Sequence, residues 1–275
     1  MAFRFASEAA FGRVFWGISK SAFPTPTEFL SMAALMYWFL CFTAAVCVGL
    51  SKSGFPGITL VTVALMAEAF PARASTGVLL PLLVFGDVCA VSAFRRHVIW
   101  GHILRMLPPT IVGVLIGFWL MKQVSEAQFR PVLGAMLLVT ALIQTARMVF
   151  PRFSDLLPRG QVFAWVMGVW AGIATMLANA AGPVMALYFL ALALPKENLV
   201  GTSAWFFLIV NVIKLPFSRA LGLIHLDSLL LNLMLCPLVI VGTWTGSRLL
   251  RWIPQHLFER ILIISAMAAA LKMVF

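Results

Sequence analysis

Thirty-three consecutive residues, Val162 to Leu194, carry no charge. As one straight helix the run would be about 50 Å long, roughly 20 Å more than the hydrocarbon core of a bilayer. It therefore has to break, tilt steeply or turn back. The break is written in Asn179-Ala180-Ala181-Gly182-Pro183, because Gly-Pro favours leaving one helix and starting another. The pieces on either side are each shorter than a comfortable span.

The surrounding composition says which solvent these helices face. The chain is 62% hydrophobic and 11% charged, with a mean hydropathy of +1.02, more apolar surface than a soluble domain of this length can hide. Phe29 to Leu50 and Ser228 to Ser247 are further uncharged stretches of spanning length. The expected fold class is an all-α polytopic membrane protein, since no alternating pattern points to a barrel. Expected spans are Phe29–Leu50, a short Ile58–Phe70, Ser75–Phe94, Ile103–Met121 and Pro131–Phe150, then Val162–Ala178, a short Val184–Leu194, Leu199–Phe217, Ser228–Ser247 and Leu257–Val274. Before them, Phe3, Ala6, Ala10, Phe11, Val14, Phe15 and Ile18 recur at helical spacing, so residues 1–28 read as an interfacial segment.

The net charge of +11 does not make this a nucleic-acid binder. The basic residues fall in short clusters between apolar runs: Arg95, Arg96 and Arg105; Arg147, Arg152 and Arg159; Arg248, Arg251 and Arg260. That distribution is the mark of loops on the cytoplasmic face of a cell (inner) membrane. Cys41, Cys47, Cys89 and Cys236 lie inside apolar segments and read as packing residues, with no metal-ligand spacing. No Walker motif, nucleophile–base set or His-rich helix face is present, so neither an enzyme nor a cofactor is expected.

The first half of the chain repeats the pattern of the second. Ser51-Lys52-Ser53-Gly54-Phe55-Pro56-Gly57 interrupts it where Asn179 to Pro183 interrupts the other. Both short helices end at a proline, Pro71 and Pro195, at an offset of 195 − 71 = 124. The same offset pairs Gly77 with Gly201 and Asp87 with Asn211. Gly113-x-x-x-Gly117 pairs with Gly242-x-x-x-Gly246 at 242 − 113 = 129, the offset that also pairs Phe129 with Phe258. We read two repeats, residues 29–150 and 162–275, joined by a loop at 151–161. Each has a broken helix pair followed by three spans. If each broken pair is a hairpin, the repeats are inverted and all three arginine clusters share one face. If the short helices lie at the surface instead, the chain makes eight crossings. The two glycine pairs suit close helix packing, within one chain or between copies of an oligomer.

Paired interruptions at matching positions point to the central site of a secondary transporter. Backbone freed by a break is tolerated at membrane depth only where protein or water covers it, and the following helix N-terminus suits an anion. The expected site comprises Ser51, Lys52, Ser53, Gly54, Pro56 and Gly57 from the first break, and Asn179, Ala180, Gly182 and Pro183 from the second. Lys52 is the direct counter-charge if the break is buried, and a snorkelling side chain if it is not. Asp87 is an intramembrane carboxylate: either a proton-coupling group or the structural partner of Lys52 or Lys214. Asn211 and Lys214 share one helix face.

Gly49-x4-Gly54-x-Pro56-Gly57, Gly172-x6-Asn179-Ala180-Ala181-Gly182-Pro183, Gly201-Thr202-Ser203-Ala204 and Asn211-x-x-Lys214 together resemble the sulfite exporter TauE/SafE family, also called the toluenesulfonate uptake permease family, over about residues 35 to 275. The resemblance adds Thr202 to the expected site. It implies transport of small sulfur-containing anions such as sulfite, thiosulfate and organosulfonates, with export the favoured direction. The residues alone say an anion site at a broken-helix pair. An anion channel or an organic carboxylate transporter on the same scaffold remains the alternative.

Overall fold

The structure, a computed structural model, describes residues 32–52, 57–94, 98–150, 160–192, 194 and 196–249, and the single positions 264, 267 and 271. The expected interfacial segment at 1–28, Ser53, Gly54 and Pro56, and most of Leu257–Val274 lie outside these residues. Within them every regular element is an α-helix: α1 Met32–Lys52, α2 Ile58–Ala69, α3 Ala72–Phe94, α4 Trp100–Gln123, α5 Glu126–Val149, α6 Gln161–Ala178, α7 Ala181–Ala191, α8 Lys196–Ala220 and α9 Leu226–Leu249. Seven helices are long and apolar enough to cross a membrane. The protein is a multi-pass membrane protein.

Both short helices turn back along their predecessors. Tyr37, early in α1, meets Phe70, just past α2, with ring centroids 5.5 Å apart. Phe163, early in α6, meets Tyr188 on α7 at 6.3 Å. Each broken pair is therefore a hairpin whose tip carries the interruption. The first tip is shorter than the sequence suggests, because α1 runs on through Ser51 and Lys52. The second tip is only Asn179 and Ala180. Gly182 and Pro183 belong to the first turn of α7, where proline's missing N–H removes no helical bond.

Between the hairpins, α3 and α8 pack side by side in opposite directions. Asp87 is bonded to Asn211. Ala90 and Val91 pack with Ala204, and Gly77 abuts Leu223 just after α8. Residue numbers fall on one helix as they rise on the other.

Glycines lock the hairpins to the remaining helices. A Cβ at Gly113 on α4 would collide with the Val169 carbonyl on α6, and one at Gly172 with the Thr110 carbonyl on α4. A Cβ at Gly49 on α1 would collide with the Val239 carbonyl on α9, and one at Gly242 with the Val46 carbonyl on α1. The two contacts match between the halves, since 172 − 49 = 123, one short of the first offset, and 242 − 113 = 129. Each hairpin is thus clamped by a helix of the other half, and Gly113, Gly117 and Gly242 all pack within the chain.

These contacts predict the effect of bulk. Gly172→Leu is expected to destabilise the protein by about 1–3 kcal/mol through overpacking, whereas Gly101→Ala, where nothing lies within 4 Å, shifts stability by only a few tenths. Thermal unfolding of the detergent-purified variants measures the difference.

Candidate functional site

The end of α1 and the turn after α6 reach one buried polar cluster. Lys52 Nζ at the end of α1 lies 2.6 Å from Asp87 Oδ1 on α3. Asp87 Oδ2 accepts from Asn211 Nδ2 on α8 at 2.7 Å. One turn further along α8, Lys214 Nζ donates to Asn179 Oδ1 at 2.6 Å, to Thr175 Oγ1 at 3.0 Å and to Asn211 Oδ1 at 3.4 Å. Asn179 Nδ2 continues the chain to the Thr76 carbonyl on α3 at 2.9 Å. Asp87 is 0% exposed and Lys214 1%.

Local geometry explains why these side chains converge. Asn179 ends α6 in the left-handed region, at φ 51 and ψ 27, and it is the one non-glycine residue with positive φ among those described. Asparagine tolerates this conformation better than most residues. The turn lets its N–H bond the Thr175 carbonyl while Ala180 N–H bonds that of Ala174, and its side chain stays free to bridge α3 and α8. Asn211 and Lys214 share a face because they are three residues apart. Lys52 sits in the last turn of α1, where the helix dipole favours a cation. Its ammonium also lies 5.6 Å from the centroid of the Phe207 ring.

The charges do not balance. With both lysines protonated, Lys52 and Lys214 are two ammonium groups, and Asp87 is the one carboxylate between them among the described residues. All three of Lys214's donors are taken by neutral oxygens. An excess cation held away from water is costly unless an anion or a wet cavity compensates it. To hold a small anion, these cations would turn their donors from the oxygens they now meet to the ligand. Among the described residues no group of three His, Cys, Asp or Glu side chains gathers in a way that could hold a metal.

Of the expected site residues, Lys52, Asp87, Asn179, Asn211 and Lys214 come together. Ala180, Gly182 and Pro183 form the buried turn and first helical turn beside Asn179. Gly57 opens α2 and offers its N-terminus no side-chain cap. Ser51 hydroxyl is spent on the Val48 carbonyl, 2.7 Å away. Thr202 stands apart, nine residues before Asn211 and so about 13 Å along the axis. Its hydroxyl accepts the Ile99 N–H at 3.0 Å and fixes the approach to α4.

Thr175 and Phe207 are participants that sequence reasoning missed. Each lies four residues before a recognised polar residue, Asn179 and Asn211, and so one turn away on the same face. That spacing was the available signal. Asn232 on α9 was also passed over. It is 4% exposed, and its Nδ2 donates to the Val78 carbonyl at 2.9 Å while its Oδ1 has no partner.

A family model described as sulfite exporter TauE/SafE matches residues 40–273. Comparison with curated proteins finds no match.

Two stability comparisons follow from the cluster. Asn179→Gly and Asn179→Ala remove the same side-chain bonds, but alanine also carries left-handed strain, so Asn179→Ala is expected to be less stable by about 1 kcal/mol. Lys52→Met leaves Asp87 buried without its cation and is expected to cost about 3 kcal/mol; adding Asp87→Asn should recover part of that loss. Thermal unfolding of the four variants checks both.

Proposed function

The chain belongs to the sulfite exporter TauE/SafE family, and from that premise we propose that it is a secondary transporter that exports small sulfur-containing anions across the inner membrane. Sulfite, thiosulfate and organosulfonates are the substrate class. The observation that carries the reading is the buried excess of positive charge at the point where two hairpin tips meet. A bound anion supplies the counter-charge that Lys214 lacks.

The site consists of Lys52, Asp87, Asn179, Asn211 and Lys214, with Ser51, Ser53, Gly54, Pro56, Gly57, Ala180, Gly182, Pro183 and Thr202 as its surrounding frame. The donors of Lys214 move from neutral oxygens to the substrate. Asp87 is the coupling group, since its charge governs whether Lys52 is free. The two repeats, 29–150 and 162–275, are inverted. That reading is supported by α3 and α8, which match at an offset of 124 and run in opposite directions, and by the matching glycine clamps. The hairpins then enter from opposite faces, and the three arginine clusters share the cytoplasmic one. Access alternates as the repeats move around the central cluster.

Uptake of sulfite, thiosulfate, sulfoacetate and taurine into proteoliposomes, with and without a proton gradient, tests this. Gradient-driven accumulation of at least one anion is expected, reduced more than about tenfold in Lys214→Met and in Lys52→Ala. Downhill flux without accumulation would make the protein a channel, and absence of flux of every anion by folded protein would sink the sulfur-anion reading.

A further inference from the structure

We propose that Asp87 matches the charge of the site to the charge of the anion: ionised it fits the site to a monoanion, and protonated to a dianion, so a dianion is bound together with one proton and a monoanion with none. This rests on the transport reading above and adds the rule by which the site selects its substrates.

The charges define the two states. With Asp87 ionised, the cluster holds two ammonium groups and one carboxylate, an excess of one positive charge. Protonating Asp87 raises the excess to two.

Among the described residues, no charged group other than Lys52 and Lys214 is found acting on the carboxylate. The groups that act on it are Lys52, Asn211 and Lys214. The helices packed on α3 are α1, α2, α5, α8 and α9. Apart from Lys52 and Lys214 their charges sit near helix ends. Glu68 pairs with Arg130 at 3.7 Å. Glu126 and Arg147 lie toward the two ends of α5, Lys196, Glu197 and Arg219 toward those of α8, and Asp227 and Arg248 toward those of α9. Tyr37, Cys41 and Cys47 on α1 and Cys236 on α9 are outside the hydrogen-bond set of Asp87.

The hydrogen-bond geometry converts the proton into free cationic donors. Both Asp87 oxygens accept bonds, Oδ1 from Lys52 and Oδ2 from Asn211. A proton taken from solvent onto Oδ1 faces an ammonium that only donates, so Lys52 must leave. Its side chain, 11% exposed against 1% for Asp87, is the more accessible of the two. A proton on Oδ2 instead requires the Asn211 amide to flip and present Oδ1 to the new O–H. Asn211 Oδ1 then ceases to accept from Lys214, which frees a donor on that lysine. Either way one proton is consumed, no bond between heavy atoms forms or breaks, and an ammonium donor becomes available for a second negative charge.

Proton uptake on binding tests the rule directly. Calorimetry on the purified full chain, in two buffers of different ionisation enthalpy, compares thiosulfate, a dianion, with methanesulfonate, a monoanion. Neither probe titrates near neutral pH. About one proton per thiosulfate and about none per methanesulfonate are expected. Equal proton uptake for both overturns the inference while leaving the anion site standing. Absence of binding by both refutes the anion site itself, and this inference with it. In Asp87→Asn, checked for a monodisperse folded state, thiosulfate is expected to bind without a proton and to gain about tenfold over methanesulfonate. Proton uptake that persists in that variant overturns the assignment to Asp87. If Asp87→Asn does not fold, the wild-type comparison alone decides.

Discussion

A buried lysine whose donors end on neutral oxygens constrains everything around it. Lys214 is 1% exposed, and its charge is tolerable only because Thr175, Asn179 and Asn211 each turn an oxygen toward it. Asn211 can do so because Asp87 accepts its amide N–H, and Asp87 stays in place because Lys52 closes on its other oxygen. The members of this chain come from α1, α3, α8 and the last turn and cap of α6. Removing one leaves another buried without a partner, which is why the hairpin tips and the two central helices have to be assembled together.

The glycine contacts supply the rigidity that such a cluster needs. Hydrocarbon offers little hydrophobic drive for helix association, so close backbone approach and van der Waals packing carry it. The densest contacts lie between α4 and α6 and between α1 and α9, where glycines let carbonyls of one helix meet the backbone of the other. Each contact joins the first helix of one half's hairpin to the fourth helix of the other half, α6 to α4 and α1 to α9. The clamps that hold the site therefore join one half of the chain to the other.

Much of this was legible in the residues. The uncharged runs and the two interruptions announced helices and breaks. Lys52, Asp87, Asn179, Asn211 and Lys214 stood out because ionisable and amide side chains are rare where everything else is apolar. Thr175 and Phe207 did not stand out, since a threonine or phenylalanine in such a helix is ordinary, and only the i, i+4 relation to Asn179 and Asn211 marks them. Thr202 is a motif position whose observed contact is with the Ile99 N–H, a partner that its motif does not indicate. Gly182-Pro183 was read as the break itself, but proline is compatible with the first turn of a helix, and the break moved back to Asn179.

What the sequence determined by itself is the kind of solvent and the kind of element. Uncharged runs of spanning length admit only helices in a bilayer, because every backbone donor must be satisfied within its own segment. It also determined that each half carries a polar interruption. Which polar groups meet was decided only by the tertiary structure. Lys52 and Asp87 are 35 residues apart and Asp87 and Asn211 are 124 apart, and no local rule relates such positions. Their partnership follows from α3 and α8 lying in opposite directions between two clamped hairpins, where an unpaired charge has no water to turn to.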